Sequence, residues 1–221
     1  MMNWDKCREF QKNLKNNLVL DTPEDTKFNK LAAFDISFKK NYAFAIALIY
    51  NIKDNKIDKI YKNYFKNSIK YVPTFLAFRE IPYLLRLINE INGNYDLILC
   101  DGHGIMHPYR SGLATHLGYL LDKPSIGMAK SYLCGEFEEP DEDFFSKSTV
   151  YDKKGKRLGY ALTNRKKTKP IFISPGYKIS FEKSLKLIRI VSGKYRVPEP
   201  LHVADRISKK YRKEFYDRKR T

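Results

Sequence analysis

The stretch Leu97-Ile98-Leu99-Cys100-Asp101-Gly102-His103-Gly104-Ile105-Met106-His107-Pro108 decides how the rest of the chain is read. Its first four residues are a short apolar run that reads as a buried strand. A carboxylate, two glycines and two histidines follow directly. Strand ends in open α/β sheets are where sites are usually built. Gly102 and Gly104 let a ligand approach the backbone closely. Asp101 suits a hard cation, and His107 suits a phosphate contact or a proton relay.

On the N-terminal side, three strand-like runs (Lys30 to Phe38, Tyr42 to Tyr50, Lys56 to Phe65) are joined by the polar turns K-K-N and I-K-D-N and predict an antiparallel meander. Before them, Trp4, Cys7, Phe10, Leu14 and Leu18 keep helical spacing over Asn3 to Leu18, ended by D-T-P-E-D. Phe75 to Ile91 predicts a helix with one apolar face, and Tyr95 to Cys100 the strand that enters the motif. Beyond it, His107 to Leu121 predicts a helix and Ser125 to Lys130 a short buried strand. Glu136 to Ser146 is expected to be an exposed acidic loop. Val150-Tyr151 and Arg157 to Leu162 flank the hairpin turn D-K-K-G-K. Ile171 to Ile173 reads as a strand, and Ser180 as the N-cap of a helix. Three antiparallel strands, helix, strand, helix, strand, then additions is the order of an RNase H-like α/β fold, a mixed central sheet flanked by helices. In such a fold a carboxylate on the first strand lies beside one at the end of the fourth. Asp35 and Asp101 occupy those places.

At 221 residues, the chain predicts a single domain over 1–221 with a basic C-terminal tail at about 204–221. The 42 Lys+Arg against 25 Asp+Glu give a net charge of +17 and favour a polyanionic partner, nucleic acid. Cys7, Cys100 and Cys134 are odd in number and lack C-x-x-C spacing, so a reducing, cytoplasmic setting is expected and a zinc site is not. No signal peptide and no membrane span are expected, since no apolar run nears about 18 residues. A monomer is expected.

Asp35 stands in the apolar strand A-A-F-D-I-S-F, where a carboxylate is costly unless paired or metal-bound. Glu80, in F-L-A-F-R-E, is weak alone, and Arg79 is an available partner. Three carboxylates suit Mg2+, with Mn2+ able to substitute: such ions keep waters and take phosphate oxygens. Lys130 adds a fixed positive charge against a phosphate. His103 is read as orienting the loop, His116 as a packed histidine, and Tyr109, Arg110 and Ser111 as further phosphate contacts. Tyr71, in Y-V-P-T-F, is either a helix-entry aromatic or a wedge that enters a base stack.

Several long motifs in order carry a resemblance: Y-V-P-T-F-L-A-F-R-E, D-G-H-G-I-M-H-P-Y-R-S-G-L-A-T-H-L-G, P-S-I-G-M-A-K-S-Y-L-C-G and P-I-F-I-S-P-G. The chain resembles endonuclease V, the inosine-specific nuclease family, over almost its whole length. The resemblance implies magnesium-dependent hydrolysis of the second phosphodiester 3′ to inosine, leaving 3′-hydroxyl and 5′-phosphate ends, in the service of DNA repair. Asp35, Glu80 and Asp101 match the family's metal carboxylates. His107 and Lys130 match its active-site histidine and lysine, and Tyr71 its wedge. Leu76, Gly102 and Leu113 fall where the family forms the pocket for the flipped base. Lys70 and Thr74 replace a proline and a glycine beside the wedge, so base selectivity can differ. Tyr177 stands in place of a histidine. Asp205, where some relatives carry histidine, is a candidate extra metal or water-orienting carboxylate, or a helix-face Asp paired with Arg206. The substrate is expected to be inosine-containing DNA, single- or double-stranded, with RNA as an alternative. A nuclease of relaxed base selectivity and a non-catalytic nucleic-acid-binding scaffold are the competing readings.

Overall fold

The computed structural model describes residues 2–23, 25–91 and 95–219. Glu24 of the predicted D-T-P-E-D turn and residues 220–221 of the basic tail lie outside them. The elements are α1 (Trp4–Asn16), β1 (Lys30–Lys39), β2 (Tyr42–Asn51), β3 (Lys56–Lys66), α2 (Leu76–Ile88), β4 (Leu97–Asp101), α3 (Leu113–Leu121), β5 (Ser125–Ala129), β6 (Ser146–Tyr151), β7 (Arg157–Thr163), β8 (Ile171–Tyr177), α4 (Phe181–Ile190) and α5 (Glu199–Arg218). One eight-stranded sheet runs in the order β3-β2-β1-β4-β5-β8-β7-β6. The predicted meander is its antiparallel β1–β2–β3 side. β4 pairs parallel with both β1 and β5, and β8 returns antiparallel to β5. This mixed sheet with helices on both faces is the expected RNase H-like arrangement.

Strand periodicity sorts the core into two layers. Ala32 and Phe34 of β1 pack with Ile81, Leu84 and Leu87 of α2 and Leu117 of α3. Leu31 and Ala33 pack on the other face with Leu185 and Ile188 of α4 and Leu201 and Ala204 of α5. Asp35, next in the odd series, therefore turns toward α5. Phe34 pairs with Cys100, so Asp35 and Asp101 are the next positions along two adjacent parallel strands. Register alone puts the two carboxylates side by side.

Three expectations need correction. The helix predicted from His107 begins only at Leu113. Arg110 adopts φ +52 and Gly112 is extended, so the 107–112 segment turns back on itself, with the Gly112 N–H donating to the Gly104 carbonyl at 3.1 Å. His107 is thus not at a helix start. The short strands at Val150-Tyr151 and Ile171 to Ile173 extend to Ser146–Tyr151 and Ile171–Tyr177. Pro175 lies within β8, opposite Ile126 of β5, and its carbonyl accepts the Ile105 N–H at 2.8 Å. The basic tail is part of the 20-residue helix α5, whose Tyr211, Phe215 and Tyr216 pack on Phe44 of β2. No described helix is long and apolar enough to cross a membrane.

Candidate active site

Asp35, Glu80 and Asp101, from β1, α2 and β4, line one cleft of about 210 Å³. Asp35 and Glu80 are only 8% and 7% exposed. Burial, then the neighbouring Asp101 and Asp205 charges, raise the Asp35 carboxyl to about 6, while a hydrogen bond from the Ser208 hydroxyl at 2.5 Å works against the rise. Burial, then Asp35 and Asp101, push Glu80 well above the carboxylate range. Arg79 opposes that shift by its charge, but its guanidinium stacks on the Phe38 ring at 3.7 Å rather than pairing with Glu80. Lys130 Nζ bonds Asp101 Oδ2 at 2.5 Å and lies 3.8 Å from Asp205 Oδ1. Burial would lower the Lys130 pKa, but Asp101, Asp205 and Asp35 outweigh it and raise it. Asp205 makes its closest ion pair with Lys209, at 2.6 Å, not with the adjacent Arg206.

Among the described residues, no three His, Cys, Asp or Glu side chains are gathered tightly enough to hold an ion as they stand. The donor set nevertheless fits a hard divalent cation. Its ligands are oxygens, they share a cleft, and their mutual repulsion is what a cation would relieve. Ser208 was not legible as part of this set. Helical spacing from Asp205 (i, i+3) is the signal that places it on the same face.

A second cavity, of about 340 Å³, adjoins the cleft; Asp101 and Leu113 line both. Leu76, Gly102 and Leu113 all line it, with Tyr71 and Thr74 on one wall and Lys130 on another. Leu76 and Leu113 are the first residues of α2 and α3. Their N–H groups have no acceptor within the helix, so two helix starts present donors to one space. Gly102 differs: its N–H already donates to the Met128 carbonyl at 2.7 Å. It serves by size, since a Cβ there would come within 3.2 Å of Leu113. Ser111 Oγ and His103 Nδ1, both in the cavity lining, are buried without a hydrogen-bond partner among the described residues. Arg110, expected at a phosphate, is instead paired with Asp152 at 2.6 Å.

Tyr71 is 56% exposed at the mouth of this cavity. Thr74, three residues on, has φ +67. His107 is buried, and its Nε2–H faces the Thr74 carbonyl at 3.1 Å while its Nδ1 accepts the Tyr109 N–H at 3.2 Å. Both contacts are to backbone, which fixes the neutral Nε2–H tautomer. Burial lowers its pKa to about 4 despite the Thr74 bond. Burial likewise takes His103 and His116 to about 4. His116 lies outside the cavity lining, stacked at 4.7 Å on Phe10 and edge-on to Phe78. Tyr177 makes a 3.4 Å contact with Asp122 and pairs with Ser125, at the opposite end of β5 from Lys130.

The family model of endonuclease V matches residues 12–206. Endonuclease V of Thermosipho melanesiensis is 38% identical over 211 residues, covering 96% of this chain and 92% of its own. The crystal structure of the Bacillus subtilis endonuclease V superposes with a TM-score of 0.90 at 27% identity, covering 99% and 95% of the two chains. Ciona intestinalis endonuclease V, solved with a 24mer DNA containing an inosine followed by a ribo-adenosine, superposes with a TM-score of 0.84 at 26% identity over 96% and 98%. With the family model spanning most of the chain and a relative this similar over nearly its whole length, the chain belongs to the endonuclease V family.

Proposed function

We propose that this protein is a divalent-metal-dependent endonuclease that recognises inosine in DNA and hydrolyses the second phosphodiester on its 3′ side, leaving 3′-hydroxyl and 5′-phosphate ends. One observation carries the reading: the carboxylate cleft and the base-sized cavity share Asp101 and Leu113 as a common wall. An enzyme that reads one base and cuts a fixed, short distance away needs these two spaces adjoining. The Ciona relative's inosine-containing ligand supports the choice of base.

Asp35, Glu80 and Asp101 would hold Mg2+ or Mn2+, with Asp205 near enough to add an oxygen. Such an ion, when bound, polarises the phosphate, makes an attacking water more acidic and offsets charge on the leaving oxygen. Ser208 orients the Asp35 carboxylate. Lys130 supplies a fixed positive charge beside Asp101, where the scissile phosphate would lie. Tyr71 fills the gap left in a stack when the base turns out. Leu76 and Leu113 offer N–H donors to it, and Leu113 against Gly102 keeps the space tight. Hypoxanthine lacks the exocyclic amines of adenine and guanine, which a tight pocket rejects by clash or by unpaired polar groups. Free Cys7, Cys100 and Cys134 suit a reducing cytoplasm. RNA is the second reading, favoured by the ribo-adenosine in the Ciona ligand.

The test is cleavage of matched oligonucleotides carrying inosine, adenosine or guanosine at one position, with Mg2+ and with a chelator. Inosine-only, metal-dependent cutting is expected. Equal cutting of all three would replace this reading with a relaxed nuclease, and tight binding without cutting with a binding scaffold.

A further inference from the structure

Thr74 is a β-branched residue in the left-handed region, a conformation that persists only where its surroundings over-determine it. The surroundings come from α1. Gln11 Nε2 donates to the Thr74 carbonyl at 2.7 Å, and Arg8 Nη2 donates to Thr74 Oγ1 at 3.0 Å. Arg8 Nη1 also donates to Gln11 Oε1 at 2.7 Å, so the two side chains act as one unit. The Arg8 guanidinium lies between two rings, 4.2 Å from the Phe75 centroid and 3.8 Å from that of Tyr109. Trp4 packs on the same Phe75 at 5.1 Å. Trp4, Arg8 and Gln11 are spaced i, i+4, i+7, one stripe of α1. With the His107 bond, the Thr74 carbonyl accepts twice and its hydroxyl once, all within three residues of Tyr71.

We propose that α1 clamps the Tyr71 loop in a pre-formed shape, and that Arg8 and Gln11 are positioning residues for the entry of Tyr71 into a base stack. The inference rests on the inosine-nuclease reading of the site. A side chain already held in its inserting geometry loses less freedom on insertion, so the clamp lowers the cost of opening a duplex. A single strand has no paired partner stack to open and needs the clamp little. Thr74 gives the clamp a second acceptor that a glycine would lack.

Steady-state cleavage of one inosine oligonucleotide, single-stranded and in a duplex, tests this. Arg8→Ala is expected to raise the duplex KM roughly tenfold while the single-strand KM moves less than about twofold, with kcat kept on both. Arg8→Lys should not rescue it, because the fork and the ring stacking are lost. In a Tyr71→Ala background, Arg8→Ala should add nothing. Should Arg8→Ala lower the Tm by many degrees, Thr74→Gly carries the test, since it removes the Arg8 acceptor yet suits the backbone; the duplex-to-single-strand KM ratio should again rise. Equal effects on both substrates, full retention of the Arg8→Ala effect without Tyr71, or an unchanged ratio in Thr74→Gly would overturn the clamp. If the parent protein is inosine-selective and the ratio does not move, the clamp alone fails. If the parent shows no inosine selectivity, the site reading fails and the clamp with it.

Discussion

Asp35 can stand in an apolar strand because Ser208, 173 residues later, gives its carboxylate a hydrogen bond inside the sheet's α5 layer. The bond only partly offsets burial and two negative neighbours, so the carboxyl stays raised to about 6. Asp35→Ala or Asp101→Ala is expected to abolish cutting in Mg2+ while binding of an inosine strand, followed by gel shift, stays within roughly threefold. A parallel loss of binding would count against their role as ligands. His116 makes a different prediction. Burial takes its pKa to about 4, below the roughly 6.5 of an exposed histidine. The unfolded chain therefore binds a proton first, and the stability gained by keeping His116 neutral is present above about 6.5 and lost as pH falls toward 4. His116→Leu, apolar between Phe10 and Phe78, should remove up to about 3 kcal/mol of the loss between pH 7 and pH 4. Urea unfolding at the two pH values reads the difference; identical losses in parent and variant would refute the burial argument.

At the scale of elements, the loop after β4 is fixed by backbone contact. A Cβ on Gly127 of β5 would lie 2.2 Å from the Gly104 nitrogen, and one on Gly104 would lie 2.2 Å from the Pro175 oxygen of β8. Gly127→Ala should destabilise the fold by roughly 1–3 kcal/mol in chemical denaturation, through this clash with backbone that cannot swing aside. An unchanged midpoint would mean that the loop and β5 are not so close. The sequence pointed to Gly104 as a place for ligand approach; its use is packing. The meander, α2, β4 and β5 were legible because each is an apolar run of the right length and period. The start of α3 was not, because the turn over 107–112 depends on a left-handed Arg110 and on Gly112 folding back beneath Gly104. The carboxylates, Lys130 and Tyr71 could be named from motif and strand order. Ser208, which bonds Asp35, and Arg8 and Gln11, which bond Thr74, could not, since each lies on an element distant in sequence from its partner.

Over the whole molecule the net charge is +17, and part of its basic surface lies on α5, which leads away from the cleft. From Ser208, beside Asp35, to Lys219 the helix advances about 16 Å. There it meets the β1–β2 turn at a cavity of about 440 Å³ lined by Lys39, Lys40, Lys213 and Lys219 with Tyr42 and Tyr216. This end is suited to the backbone of a strand that extends beyond the cut. Lys39→Ala with Lys213→Ala should weaken inosine- and adenosine-containing strands alike and reduce the slope of log affinity against log salt by about 1.5. Weakening confined to the inosine strand would assign these lysines to base recognition instead. The adjoining spaces at Asp101 and Leu113 imply a fixed spacing between the base that is read and the bond that is cut. That spacing is measured by mapping the products of a single-inosine DNA strand at single-nucleotide resolution in Mg2+. One cut at the second phosphodiester 3′ to inosine, with a 5′-phosphate on the downstream piece, is the expected result. Cuts scattered along the strand, or a cut whose position does not follow the inosine when it is moved, would contradict it.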